Sequence, residues 1–324
     1  MTHLLILAPN WLGDAVMALP AVADVRRASP DAAITIGARP AVAPLYALVP
    51  GIKNVMHLGD EDEHVPRDRG FDTALLLPNS FHAALLASRA GIRERWGYRT
   101  QWRGRLLTRA ITRPPAGVHQ VEYYRHLVQA LGFDNGSAEP RLEVPAGLRA
   151  AGSAALARAG WDGRAPLVAI APGAAYGGAK RWPAASFAEL ARSLDADGVT
   201  TVLIGGAGDI ATGREVEAHA DGRAGRLLNL TGATDLPLLA GVIVACRAVV
   251  SNDSGAMHFA AALGVRVTAV FGPTDERVTG LRGDHAVLTH DVWCRPCMLR
   301  ECPIDHRCMR IGVDAVIAEA RRTL

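Results

Sequence analysis

The chain has 324 residues, too many for one ordinary hydrophobic core, so two domains are expected. With 49% apolar and 21% charged residues it is globular in composition, and a formal charge of +3 is too small to mark a nucleic-acid binder. No apolar run reaches the roughly 18–20 residues a membrane-spanning helix needs and no signal-like segment opens the chain, so a cytoplasmic protein is expected.

Residues 3–8 read as a buried parallel strand and run into "PNWLGDAVMALP" at 9–20. A turn from such a strand into a helix usually offers glycines and backbone N–H groups to an anion, yet here it carries Asp14, which would repel one. A plain helix N-cap is the competing use of Asp14. Pro20 weighs against that use, because it would interrupt a helix begun at Ala15. Further strands are expected at 33–37, 54–58, 72–77 and 92–97. The fourth ends in Pro78-Asn79-Ser80 and leads into a helix. The next segment, 93–109, sets Arg93, Arg95, Arg99, Arg103, Arg105 and Arg109 among Trp96, Tyr98 and Trp102. Guanidinium forks and aromatic faces together suit an anionic, partly carbohydrate ligand; a solvated basic face is the alternative. Nucleic acid would use the same chemistry, but the patch is one loop long.

An Ala-, Gly-, Pro- and Arg-rich stretch at 134–166 marks the domain boundary, with a helix near 150–159 and the linker near 140–147. The expected division is 1–145, 146–311, and a last helical segment, 312–324, able to pack on either domain, the N-terminal one included. A second strand series follows at 166–171, 199–205, 226–230, 247–251 and 265–271. Strands alternating with helix-length segments imply an α/β fold of two doubly wound parallel sheets, with function in the loops after the strands around a shared cleft.

Three loops of the second half carry chemistry. In "APGAAYGGAKRWP" (171–183), Gly173 and its companion glycines permit backbone approach to an anion, and Lys180 and Arg181 supply charge. A flexible loop with solvated charges is the other reading. In "VVSNDSGAMHFAAALG" (249–264), a buried strand meets a helix at once: Asp253 and Ser254 are natural caps, Gly255 permits close approach, and the helix N-terminus suits a phosphate. His258 lies one turn in, facing the same ligand or serving as a packing histidine. In "IGGAGDIATG" (204–213), Asp209 is placed to reach ribose hydroxyls, with an ordinary strand-to-helix loop as the other reading.

Cys294, Cys297, Cys302 and Cys308 fall within fifteen positions as C-x2-C-x4-C-x5-C. Four thiolates can close a tetrahedral structural zinc site, with reduced thiols or adventitious disulfides as alternatives. A brace for the C-terminal domain is the expected role.

As an ordered set, "PNWLGDAVMALP", "LPNSF" (77–81), "PGAAYGGAKRWP", "SNDSGAMHFAAALG" and "FGPTD" (271–275) resemble the ADP-heptose:lipopolysaccharide heptosyltransferases of glycosyltransferase family 9, and most closely their heptosyltransferase II subgroup. The resemblance spans essentially the whole chain. It implies a GT-B fold, two Rossmann-like domains facing a central cleft, and inverting transfer from ADP-L-glycero-β-D-manno-heptose without an obligatory metal or other cofactor. By the same resemblance Asp14 is the general base and Lys180 the second catalytic residue, stabilising the leaving diphosphate. The resemblance gives the donor to Lys180, Asp253, Ser254 and Gly255, with His258 following, and the loop readings above add Gly173, Arg181 and Asp209 as expected donor contacts. The acceptor, an anionic heptosyl-Kdo-lipid A, falls to Asn10, Asn79, Ser80, Arg99 and Arg103. A lipid-borne acceptor also implies peripheral contact with the inner face of the inner membrane, and no nucleic-acid partner. The rival readings are a sugar-nucleotide epimerase on the same plan and a nucleotide-sugar-binding protein without turnover. A dehydrogenase is disfavoured, since no strand leads into G-x-G-x-x-G with a suitably placed acid.

Overall fold

The computed structural model describes residues 1–59, 65–322 and 324 and consists of two units, Met1–Glu143 and Val144–Leu324. In the first, β1 (His3–Leu7), β2 (Ala33–Ala38), β3 (Asn54–His57), β4 (Thr73–Leu76), β5 (Glu94–Tyr98) and β6 (Arg109–Ile111) form one parallel sheet in the order β3-β2-β1-β4-β5-β6. Beta-branched and leucine side chains with no charge fill its centre: Leu4 to Leu7 are buried on both faces, as a strand covered by helices requires. The helices are α1 (Leu12–Met17), α2 (Leu19–Ala28), α3 (Phe81–Arg89) and α4 (Gln120–Ala130). Pro20 sits in the first turn of α2, so the helical stretch after β1 breaks at Ala18, where a proline is tolerated.

The second unit begins with α5 (Ala146–Arg158) and alternates β7 (Leu167–Ala171), α6 (Ala184–Ala196), β8 (Thr200–Leu203), α7 (Ile210–Ala220), β9 (Leu227–Asn229), α8 (Leu236–Ile243), β10 (Ala248–Asn252), α9 (Gly255–Ala262), β11 (Arg266–Phe271), α10 (Glu276–Thr279) and β12 (Ala286–Thr289), ending in α11 (Val313–Arg321). Its parallel sheet runs β12-β11-β10-β7-β8-β9. Phe187, Leu190 and Leu194 of α6 pack on Val168, Ile170 and Val250 of the sheet. Val316, Ile317 and Ala320 of α11, in the last segment, join that same core of the second unit. Their spacing gives α11 one apolar stripe, and β10, β11, β12 and α6 cover it.

In both sheets the strand order reverses direction at one place: between β1 and β4 in the first, between β10 and β7 in the second. Helices on either side of a reversal diverge, leaving a crevice outside the carboxyl ends of the two strands. The crevice of the first unit is therefore bounded by Asn10–Asp14 and Pro78–Ser80. That of the second is bounded by Gly173–Lys180 and Asp253–Gly255. Among the described residues, no helix is long and apolar enough to cross a membrane.

Candidate active site

In the first unit, Asp14 lies within the first turn of α1, whose N-cap is Trp11. It is thus not the cap: Ala15 N–H bonds to the Trp11 carbonyl at 2.9 Å, and the Asp14 side chain stands at the positive end of the helix dipole. Across from it is α4. The Tyr124 hydroxyl has its pKa pushed well above the ordinary value, first by burial and then by the charge of Asp14, while a hydrogen bond with Gln120 acts the other way. A carboxylate, an amide and a phenol thus gather at the carboxyl end of β1.

The neighbouring loops form a second layer. Asn79 Nδ2 donates to the Tyr123 hydroxyl at 2.9 Å, and the Tyr98 hydroxyl donates to the Tyr123 carbonyl at 2.6 Å. The Ser80 hydroxyl caps α3, accepting from Ala83 N–H at 3.2 Å. Asn10 and Arg99 are exposed.

Arg103 requires a correction. Expected to meet a ligand, it is fully buried (0% exposed) and spends its donors on the carbonyls of Tyr98 (2.9 Å), Pro78 (2.5 Å) and Ser80 (3.1 Å). Burial pulls its pKa down to about 10. Its fork fits because the backbone turns at 78–80 and 98–100 point three carbonyls inward, which no basic-run pattern can reveal. Arg103 shapes the two loops through Nε and Nη1, while its Nη2 has no hydrogen-bond partner among the described residues. Replacing it by Met is expected to leave those carbonyls unpaired and cost about 2–4 kcal/mol in denaturant unfolding, and Lys, with no planar fork, recovers only part.

In the second unit, Lys180 Nζ lies 2.5 Å from Asp253 Oδ2 and 4.7 Å from the centre of the Tyr176 ring. The same Asp253 oxygen accepts from the Thr274 hydroxyl. Asp253 is therefore held from two sides, and it is not a helix cap. Ser254 occupies the N-cap position of α9, but its side chain makes no capping bond and instead meets Ser251 Oγ at 3.2 Å. The first-turn N–H groups of α9, beside an ammonium, suit an anion. His258, one turn into α9, is 7% exposed. Gly255 opens the helix, and Arg181 is exposed at the end of the Lys180 loop.

Asn252 knits this arrangement together. Its Oδ1 accepts from Trp182 N–H at 2.9 Å and its Nδ2 donates to the Pro172 carbonyl at 2.7 Å, tying both ends of the Lys180 loop to β10. At Gly173 a Cβ would fall 2.0 Å from Asp209 Oδ1, so only glycine lets that carboxylate lie against the loop. Asp209 Oδ2 meanwhile accepts from Gly206 N–H at 2.9 Å.

The cysteine segment braces these loops. The Tyr176 hydroxyl donates to the Met298 carbonyl at 2.9 Å, Ala179 N–H to the Arg300 carbonyl at 3.0 Å, and Gly178 N–H to Glu301 Oε1 at 3.0 Å. Gly177 passes so close that a Cβ there would fall 2.3 Å from the Arg300 carbonyl oxygen. Arg295 reaches the other side, donating to the Gly272 carbonyl at 2.7 Å and pairing with Glu276 at 2.6 Å. At Cys294, Cys297, Cys302 and Cys308, where a zinc site is expected, no three His, Cys, Asp or Glu side chains among the described residues are arranged to hold a metal ion, although the other three thiols are near enough to act on that of Cys308. Cys308 is buried near Gly272, whereas Cys297 is exposed. Hydrogen bonds from Ile304 and His306 N–H lower the Cys302 thiol pKa, and burial raises that of Cys308.

Tyr124, Gln120, Asn252, Thr274 and Arg295 were not singled out by the sequence. Thr274 and Asn252 lie inside recognised motifs, but Tyr124 and Gln120 become relevant only once α4 packs beside α1.

Comparison with known proteins agrees with this chemistry. The chain matches glycosyltransferase family 9 (heptosyltransferase) over residues 66–307. It is 32% identical over 300 residues to lipopolysaccharide heptosyltransferase 2 of Salmonella typhimurium, covering 85% of this chain and 84% of the relative. Lipooligosaccharide heptosyltransferase 2 of Haemophilus ducreyi is 31% identical, covering 88% of this chain and 87% of that one. The solved structure of E. coli ADP-heptose LPS heptosyltransferase II superposes with a TM-score of 0.84 at 30% identity, covering 100% of this chain and 98% of that one. Two parallel-sheet units of the GT-B kind, with Asp14 at the switch point of one and Lys180 paired with Asp253 at that of the other, thus come with a match over most of the sequence, and the chain belongs to glycosyltransferase family 9, the heptosyltransferases.

Proposed function

We propose that the chain transfers L-glycero-D-manno-heptose from ADP-heptose to a hydroxyl of heptosyl-Kdo-lipid A, with inversion, in assembly of the lipopolysaccharide inner core. The observation that carries this reading is the Lys180–Asp253–Thr274 cluster beside the uncapped first turn of α9. An ammonium and a row of N–H groups match a diphosphate, and a carboxylate fixed by Thr274 offers acceptor oxygens to sugar hydroxyls. Gly173, Arg181, Asp209, Gly255 and His258 complete the donor set. Asp209 reaches ribose hydroxyls, and His258 follows one turn into α9.

Asp14 takes the proton of the attacking hydroxyl as its oxygen bonds to the anomeric carbon. The bond from that carbon to the β-phosphate oxygen breaks, and its electron pair leaves with ADP. Lys180 and the α9 N-terminus stabilise the charge that grows there. One base and one displacement suffice, with no covalent enzyme intermediate. Asn10, Asn79, Ser80 and Arg99 serve the acceptor, with Arg103 shaping their loops. The cysteine segment acts as a brace, and the chemistry assigned to these residues needs no cofactor.

Incubating the protein with ADP-heptose and a truncated one-heptose acceptor tests the reading. ADP is expected only when acceptor is present. Conversion of the donor without acceptor would support an epimerase instead, and donor binding without either reaction a binding protein.

A further inference from the structure

The loop between β5 and β6 presents its most apolar residue to solvent in an unusual way. Trp102 is 96% exposed, the most exposed large apolar side chain in the described structure. It is also in the left-handed region, with φ at 61°, following Gln101 at 46°. A tryptophan held there is uncommon and unfavourable, so the rest of the loop must impose it. Arg103 does so from beneath: the buried guanidinium immediately after Trp102 binds three carbonyls and pins the loop base. A second tie is the Gln101 side chain, which accepts from Phe81 N–H at 3.2 Å. Phe81 itself is 44% exposed. The fold thus expends a buried charge and two left-handed residues on keeping an indole in water.

The charge around this tip has one sign. Between Glu94 and Glu122 the sequence has six arginines and no carboxylate. Arg95 is occupied by the carbonyls of Leu106 and Ile92, and Arg109 lies over the Trp96 ring. Arg99 and Arg105 flank the tip, both exposed, and no carboxylate among the described residues pairs with either side chain. Glu94 is occupied by Trp96 Nε1 and Thr108 Oγ1.

We propose that the 99–105 tip is a membrane-docking element: Trp102, with Phe81 beside it, enters the headgroup region of an anionic bilayer while Arg99 and Arg105 meet lipid phosphates. An indole at the water–hydrocarbon boundary buries its ring while its N–H stays hydrated, which is why tryptophan concentrates there. Arginines beside it are drawn to the negative surface of an anionic leaflet. The tip follows the strand next to β4, at the same end of the sheet as Asn10 and Ser80, so docking there brings a lipid-borne acceptor to the residues that receive it. The inference extends the acceptor reading above, but its main readout, binding to vesicles without lipopolysaccharide, does not depend on turnover.

Sedimentation with vesicles free of lipopolysaccharide checks it, using phosphatidylglycerol-containing vesicles and, separately, pure phosphatidylcholine. The protein is expected to bind the anionic vesicles and to be released by high salt. Trp102→Asn, chosen because Asn tolerates the left-handed backbone, is expected to weaken that binding about tenfold. The pair Arg99→Gln and Arg105→Gln is expected to weaken it about thirtyfold at low salt and to abolish the difference between the two vesicle types. Undiminished vesicle binding in both variants overturns the proposal. If the Trp102→Asn protein also uses a de-acylated soluble acceptor poorly, the ring is a sugar platform and not an anchor.

Discussion

Asp14→Asn is expected to slow heptose transfer by about a hundredfold to ten-thousandfold while leaving the Kd for ADP-heptose near its original value. The range is what a positioned general base contributes to proton transfer. Asparagine matches the shape of the carboxylate but cannot accept the hydroxyl proton. The cap of α1 is Trp11 and not Asp14, so the substitution leaves the N-cap residue in place. A second consequence concerns Tyr124, whose pKa is raised partly by the Asp14 charge. Neutralising position 14 removes that contribution, so the phenol should ionise at lower pH in the variant. Steady-state turnover, donor titration and ultraviolet titration of the tyrosines read the three effects separately. Donor affinity lost together with turnover would assign Asp14 to the donor.

Lys180→Ala is expected to raise the Kd for ADP about thirtyfold to a hundredfold, the size of a lost hydrogen bond to a charged group plus the effect of an unmatched neighbour. Asp253 is 5% exposed and within 2.5 Å of Lys180, so removing the ammonium leaves a nearly buried carboxylate facing the diphosphate. Repulsion then adds to the lost attraction. The double variant Lys180→Ala, Asp253→Asn should therefore bind ADP better than Lys180→Ala alone, and calorimetry on the two proteins measures the difference. Thr274 keeps Asp253 in place by its own hydrogen bond, which leaves Lys180 able to turn towards a phosphate without the carboxylate following.

The parallel-sheet plan was legible because its central strands are short apolar runs with glycines after them: Leu4–Leu7, Leu167–Ala171 and Ala248–Asn252 are buried throughout. Two of the four edge strands, β6 and β12, were not. Arg109–Ile111 is three residues inside a basic run, with Arg109 opposite Trp96, and Ala286–Thr289 is a four-residue run that the fold leaves only partly buried, too short to stand out as a strand. For the site, residues next to glycine-rich turns stood out in the sequence, as Lys180 and Asp253 did. What could not be read was which of several arginines the fold would bury: Arg99 and Arg103 look alike in the run, and only the inward carbonyls of residues 78, 80 and 98 separate them. The bracing of residues 176–179 by 298–301 is equally a product of long-range packing, joining segments about 120 positions apart that share no pattern.

The most direct measurement is the anomeric configuration of the transferred heptose, read by nuclear magnetic resonance from the one-bond carbon–proton coupling at its C1. A single displacement assisted by one carboxylate turns the β-linked sugar of ADP-heptose into an α-linked product, and that is the expected result. A β-linked product would require two displacements and a second nucleophile, and would contradict the role given to Asp14.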